Sequence, residues 1–195
     1  MTPVPEGAAL PTDPAQEYDY DSIAERYTAE NEASLLNAYY ERPAMLGLAG
    51  DVTGRRILDA GCGSGPLFTE LRDRGAIVTG IDSSARMLEL ARQRLGADAD
   101  LRIADLVSPL PFSDNAFDDV VASLVLHYLQ DWGPTLTELL RVLKPGGRLI
   151  VSVEHPFAIW ITEWRYCQIL WMRLFQATSV APERPPSFGV MSMGR

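Results

Sequence analysis

The segment Leu58-Asp-Ala-Gly-Cys-Gly-Ser-Gly65 constrains the fold more than any other part of the chain. A short apolar run, Arg56-Ile-Leu-Asp-Ala60, leads into it. A helical pattern from Pro66 to Arg74, with Leu67, Phe68 and Leu71 on one face, leaves it. Strand, glycine turn and helix in that order open a parallel α/β sheet. Glycines at such a turn accept positive φ and let the backbone approach a ligand. In open parallel sheets, ligands bind beyond the C-terminal strand ends. A tight turn holding no ligand is the competing reading.

The alternation continues downstream. Ala76 to Ile81 reads as a second strand, with Asp82 as its last residue. Ser83 or Ser84 can cap a helix carrying Met87, Leu88, Ala91 and Leu95, closed by Gly96. Leu101 to Ala104 and Phe117 to Leu124 read as strands, separated by the turn-rich residues 106–115. Asp131 to Leu143 reads as a helix stopped by Lys-Pro-Gly-Gly, and Arg148 to Glu154 as a fifth strand. Before the first strand, Asp19 to Gly50 is helical in rhythm, with a break near Pro43. The pattern predicts an α/β fold with a Rossmann-like, doubly wound, mostly parallel sheet.

The glycine spacing separates cofactors. A dinucleotide fingerprint is G-x-G-x-x-G. Here the glycines stand at 61, 63 and 65 and Pro66 follows. Pro66 removes one N–H from the helix end, which disfavours a pyrophosphate there. The loop also holds no lysine of the kind that serves nucleoside triphosphates. Asp82 can accept both hydroxyls of a ribose, or it can simply cap the next helix. Asp105 ends the third strand in Ile-Ala-Asp-Leu. Three strand ends thus bring acidic or glycine features to one crevice.

Composition narrows the partners. The 195 residues carry 17 Lys plus Arg against 26 Asp plus Glu, a net charge of −9. Residues 1–54 hold ten acids and two bases, so the acidity sits almost wholly at the front. That balance argues against nucleic acid or an anionic membrane as partner. No apolar run reaches the roughly 20 residues that a spanning helix needs. Two cysteines, Cys62 and Cys167, make neither a disulfide framework nor a metal cluster. With no signal-peptide pattern at the start, the expected setting is cytoplasmic and no metal is expected.

Taken in order, LDAGCGSG, VTGIDSS, IADL, FDDVVASLVLHYL and LLRVLKPGGRLIVS resemble the successive motifs of class I S-adenosylmethionine-dependent methyltransferases. The resemblance runs over about residues 18–155 and is greatest to the small-molecule branch, where a Tyr-Asp-x-x-Ala-x-x-Tyr helix (Tyr20, Asp21, Ala24, Tyr27) lids the cofactor. It implies S-adenosyl-L-methionine as cofactor and a small-molecule methyl acceptor. It also implies roles for residues. The backbone of Gly61, Cys62 and Gly63 would line the methionine moiety, with Asp59 near its ammonium. Asp82 would take the ribose hydroxyls, and Ser83 and Met87 would flank the adenine. Ala104 closes the third strand, Asp105 would accept from the adenine amino group, and Leu106 would pack beside it. Ser123 and Leu124 would pass near the methionine chain, and Tyr20 and Tyr27 would close over the cofactor.

The chemistry agrees. A sulfonium cation suits acidic and aromatic surroundings. Methyl transfer is an in-line displacement, in which positioning the acceptor supplies much of the rate. A base is needed only where the acceptor holds a proton. His127, after the fourth strand, and His155, after the fifth, are the candidates, each weighed against a purely structural role. Cys62 reads as a packing residue, and Asp118 and Asp119 read as solvated.

The ending departs from the pattern. The family adds an antiparallel hairpin after the fifth strand. Residues 157–177 instead read as one helical stripe (Trp160, Trp164, Cys167, Trp171, Leu174), followed by no convincing strand. The expected division is a disordered tail (1–17), a helical lid (18–54), an S-adenosylmethionine-binding Rossmann-like domain (55–156) and an atypical helical or coil segment (157–195). A chain truncated or frame-shifted relative to the family is one reading of that end. An uncovered fifth strand would be a sheet edge, so either the 157–177 helix covers it or the chain forms a homodimer or aggregates. The alternatives to an active methyltransferase are an S-adenosylmethionine-binding protein without activity and, less favoured by the loop, an NAD-dependent oxidoreductase.

Overall fold

The computed structural model describes Ala24, Thr28, residues 37–154 and the backbone of residues 170–176. A π-helical turn (Asn37–Glu41) runs into α1 (Arg42–Ala49). Then follow β1 (Arg56–Ala60), α2 (Pro66–Asp73), β2 (Ile77–Asp82), α3 (Ala85–Leu95), β3 (Asp100–Ile103), β4 (Phe117–Ser123), α4 (Trp132–Val142), β5 (Leu143–Glu154) and β6 (Leu170–Gln176). Pro43 sits in the first turn of α1, where its missing N–H costs nothing. Ser84 caps α3, its hydroxyl accepting the Met87 N–H at 3.0 Å.

The strands order as β3-β2-β1-β4-β5-β6. The first five are parallel. Successive residues of β1 face opposite sides, as the period of a strand requires. Ile57 joins an apolar layer with Met45, Phe68, Leu71, Leu88 and Ile150. Leu58 and Ala60 join the other layer with Ile81, Phe117, Leu139 and Leu149. Burial on both faces explains why these strands read as nearly unbroken apolar runs. The chain order turns back between β1 and β4, and that switch point opens a crevice at their C-terminal ends.

Two expectations are corrected. Leu170–Gln176 is a strand, not part of a helix over 157–177, and it pairs antiparallel with β5 from Arg148↔Gln176 to Glu154↔Leu170. The backbone of β5 offers a complete row of hydrogen-bonding groups at that edge, and a strand satisfies them where a helix cannot. The helical spacing of the tryptophans carries no information about that distant row. The β5 edge invoked for dimerisation is therefore covered by this chain itself.

Asp119 is not solvated. It is fully buried, and Arg55 and Arg148 each grip it with two nitrogens. Asp118 accepts from Lys144 Nζ at 2.7 Å and from the Arg56 N–H at 2.8 Å. This cluster lies toward the N-terminal strand ends, at the opposite end of the sheet from the crevice. The expected disordered tail, Tyr20, Tyr27 and His155 fall outside the described residues.

Candidate functional site

The crevice is built by the turn from β1 to α2. The Gly61 and Cys62 N–H groups both donate to the Ile81 carbonyl at 2.9 Å, which ties the turn to β2. Gly61 has φ +76, and a Cβ on it would lie 2.5 Å from Val125 Cγ2. Only glycine lets the backbone pass under Val125. Gly63 has φ +53 and nothing within 4 Å of where a Cβ would stand, so the turn faces open space there. Cys62 is buried, and burial pushes its thiol well above the usual range, so it packs as a thiol.

Asp82 closes β2 with its carboxylate turned to this loop. Oδ2 accepts the Gly63 N–H and Oδ1 the Ser84 N–H, both at 2.9 Å. Ser83 beside it is exposed. Met87 is buried, and the Thr28 hydroxyl donates to its sulfur at 3.9 Å, so the segment before α1 reaches over the start of α3.

Asp59 lies under the loop, 1% exposed. Burial, then the nearby Asp82 and Glu41 carboxylates, push its carboxyl up to about 7, with the Phe68 N–H pulling the other way. Its Oδ2 has no hydrogen-bond partner among the described residues. A buried, partnerless carboxyl oxygen beside two more carboxylates calls for a cation.

The third strand end is a platform. The Ala104 N–H donates to the Asp82 carbonyl at 3.0 Å. Asp105 is exposed, and its Oδ1 accepts the Val107 N–H at 3.1 Å, an Asx turn that fixes the carboxylate. Leu106 is buried, and its carbonyl accepts the Thr135 hydroxyl at 2.8 Å. Arg141 on α4 donates to the Phe112 and Leu110 carbonyls, which holds the rest of that loop.

At the fourth strand end, Leu124 has φ +49, uncommon for a residue with a side chain. Its N–H is held by the Ser152 carbonyl at 2.9 Å and hydroxyl at 3.0 Å. The kink sets Val125 over Gly61. Ser123 donates its hydroxyl to Glu41 Oε1 at 2.6 Å. His127 follows in a short turn, stacked at 4.2 Å on Tyr128. Both its ring nitrogens are buried and without partners among the described residues, and burial holds it down at about 4.

The structure thus brings Asp59, Gly61, Cys62, Gly63, Asp82, Ala104, Asp105, Leu106, Ser123 and Leu124 to the same end of the sheet. Glu41 and Ser152 belong to this cluster; Glu41 carries no motif in the sequence, and Ser152 only ends LLRVLKPGGRLIVS. Among the described residues no group of three His, Cys, Asp or Glu comes together to hold a metal ion, and no helix is long and apolar enough to cross a membrane.

Comparison with known proteins gives the same class. Residues 58–151 match a family described as "Methyltransferase domain". A demethylmenaquinone methyltransferase of Renibacterium salmoninarum is 35% identical over 139 residues, 70% of this chain and 58% of its own length. A malonyl-[acyl-carrier protein] O-methyltransferase of Serratia marcescens is 39% identical over 108 residues, 55% of this chain and 42% of its own. Among solved structures, an S-adenosylmethionine-dependent methyltransferase from Mesorhizobium loti is 36% identical with a TM-score of 0.57, covering 62% of this chain and 56% of that one. The chain spans about half the length of these relatives. The fold and crevice define a Rossmann-like methyltransferase domain. Over residues 58–151 and in its fold, the chain is similar to the class I S-adenosylmethionine-dependent methyltransferases.

Proposed function

We propose that the protein transfers the methyl group of S-adenosylmethionine to a small organic acceptor by in-line displacement. The observation that carries this is the pairing of an open glycine turn with Asp82 and the buried Asp59, whose Oδ2 has no partner among the described residues, at one strand end. These residues suit the cofactor on physical grounds. Asp82 presents a carboxylate suited to a ribose diol, Gly63 leaves room for a chain beside the backbone, and Asp59 has no cation beside it among the described residues. When bound, S-adenosylmethionine supplies an electrophilic methyl on a sulfonium and leaves as the neutral thioether.

The chain's own groups then bind and orient. Gly61, Cys62 and Gly63 lie along the methionine portion, Ser83 and Met87 beside the adenine, and Asp105 and Leu106 at its edge. Ser123 and Leu124 border the methionine chain from β4. His127, held neutral by burial, is the group that takes a proton from the acceptor where it carries one, with His155 as the second candidate. The relatives' names cover both carbon and oxygen methylation. A small acceptor fits that range, and a cytoplasmic setting suits the free Cys62 thiol.

Calorimetric titration with S-adenosylmethionine, its demethylated product S-adenosylhomocysteine and NAD tests the reading. Binding of the first two without NAD is the expected result, together with methyl transfer to a member of a phenol, quinol and carboxylate library. NAD binding alone overturns it.

A further inference from the structure

Glu41 is a charged residue in the core with no assigned task. It is 5% exposed at the end of the π-helical turn, where α1 begins. Its Oε1 accepts the Ser123 and Ser152 hydroxyls, both at 2.6 Å. Those serines end β4 and precede the end of β5, so Glu41 is held at the C-terminal strand ends, on the sheet face that α1 and α2 share. Hydroxyls orient a carboxylate and leave its negative charge in place. Glu41 is also close enough to Asp59 to push that carboxyl upward.

Ser123, which holds Glu41, stands two residues beyond Val121, the partner of Asp59 on the neighbouring strand, and two buried carboxylates so near are unfavourable without a cation. Among the described residues neither Glu41 nor Asp59 is paired with an arginine or lysine. Arg55 and Arg148, the partly buried cations of the sheet, both pair with Asp119 at its other end. Asp59 Oδ2, fully buried and without a partner, marks the place where a donor is missing.

We propose that Glu41 is a cofactor-binding residue, which with Asp59 forms a two-carboxylate receptor for the ammonium group of the cofactor's methionine portion. This rests on the methyltransferase reading above. An ammonium has three N–H donors and one positive charge, enough for Asp59 Oδ2 and the Glu41 carboxylate together. Ser123 and Ser152 preorganise Glu41, so the lid segment and two strand ends are set before the ligand arrives.

The test uses two ligands that differ in that group. S-Adenosylhomocysteine carries the ammonium; 5′-methylthioadenosine keeps the nucleoside thioether and lacks the amino-acid portion. Glu41→Gln should weaken S-adenosylhomocysteine by about tenfold or more and leave methylthioadenosine within about twofold, as expected for loss of a charge-assisted hydrogen bond. Equal weakening of both ligands, or no weakening of either, overturns the proposal. Should Glu41→Gln fail to fold, Glu41→Asp draws the charge back by one methylene and is held to the same ratio. Failure of the unaltered protein to bind S-adenosylhomocysteine would instead overturn the methyltransferase reading.

Discussion

Gly61 and Val125 are in contact across the crevice floor: a Cβ added at Gly61 would fall 2.5 Å from Val125 Cγ2. The positive φ of Leu124 aims Val125 there, and the Ser152 hydroxyl and carbonyl hold Leu124 in place. Gly61→Ala therefore meets two penalties, a left-handed backbone and a side-chain clash. The expected loss is about 2–4 kcal/mol of stability, with cofactor affinity reduced more than tenfold. Denaturant unfolding and calorimetry with S-adenosylhomocysteine measure the two. Gly61→Ala with Val125→Ala removes the two Cγ contacts but leaves the residue-125 Cβ 2.8 Å from the added methyl, and should recover only part of the stability. No recovery would show that the backbone conformation and that remaining contact carry the whole cost.

Asp82 joins the loop to the start of α3 through the Gly63 and Ser84 N–H groups. Asp82→Asn keeps the shape and turns one acceptor into a donor facing an N–H. Affinity for S-adenosylhomocysteine should fall by about 2–3 kcal/mol, since a diol left without its acceptor pays its desolvation. Isothermal titration at pH 8 reads this directly, and unchanged affinity would remove Asp82 from the binding site.

What could be read from the sequence follows the range of each interaction. The strand–glycine–helix turn, Asp82, the Ser84 cap and the five parallel strands are local patterns, visible within a few residues. Glu41 answers to Ser123 and Ser152, 82 and 111 positions away, and nothing near it in sequence signals a buried carboxylate. Asp119 looks like one of a solvated pair until Arg55 and Arg148 arrive from 64 and 29 positions away. The β6 strand was hidden for the same reason: its partner is the β5 edge, and the spacing of its own residues imitates a helix. His127 was found, but its depth, which sets its protonation, comes from packing.

Asp59 makes stability and binding depend on pH in opposite senses. Its carboxyl titrates at about 7 in the folded chain against an ordinary value of 3.8. Between those values the native state holds a proton that the unfolded state has released, so stability of the ligand-free protein falls as pH rises through that window. Asp59→Asn abolishes the slope and should stabilise the free protein at pH 8 by on the order of 2–4 kcal/mol, with little change at pH 4. Glu41 and Asp82, whose carboxylates act on Asp59, are left unaltered in that variant. Affinity for S-adenosylhomocysteine should rise with pH up to about 7 and then level, because an ammonium binds the ionised carboxyl. Thermal melts and calorimetry from pH 5 to 8 follow both curves, and a flat affinity profile would separate Asp59 from the ligand.

Asp119 is the corresponding test at the other end of the sheet. Its side chain is 1% exposed, whereas Arg55 and Arg148 are 34% and 23% exposed. Burial pushes its carboxyl up, but the hydrogen bonds from Arg148 and Arg55 outweigh it and hold the group below its ordinary value. Removing the buried member strands two arginines that can still reach water. Removing one arginine leaves the carboxylate with its other partner. Asp119→Ala should therefore cost about 3–5 kcal/mol, Arg148→Ala less, and Arg55→Ala least. The carboxylate's contribution is present above its unfolded-state pKa and is lost as pH falls below it, so the difference between Asp119→Ala and the unaltered protein should shrink toward pH 3. Because the cluster is remote from the crevice, affinity for S-adenosylhomocysteine in the folded fraction should stay within about twofold, consistent with additivity for well-separated sites. Urea unfolding at pH 7 and pH 3 gives the ranking; an arginine variant costlier than Asp119→Ala would refute it.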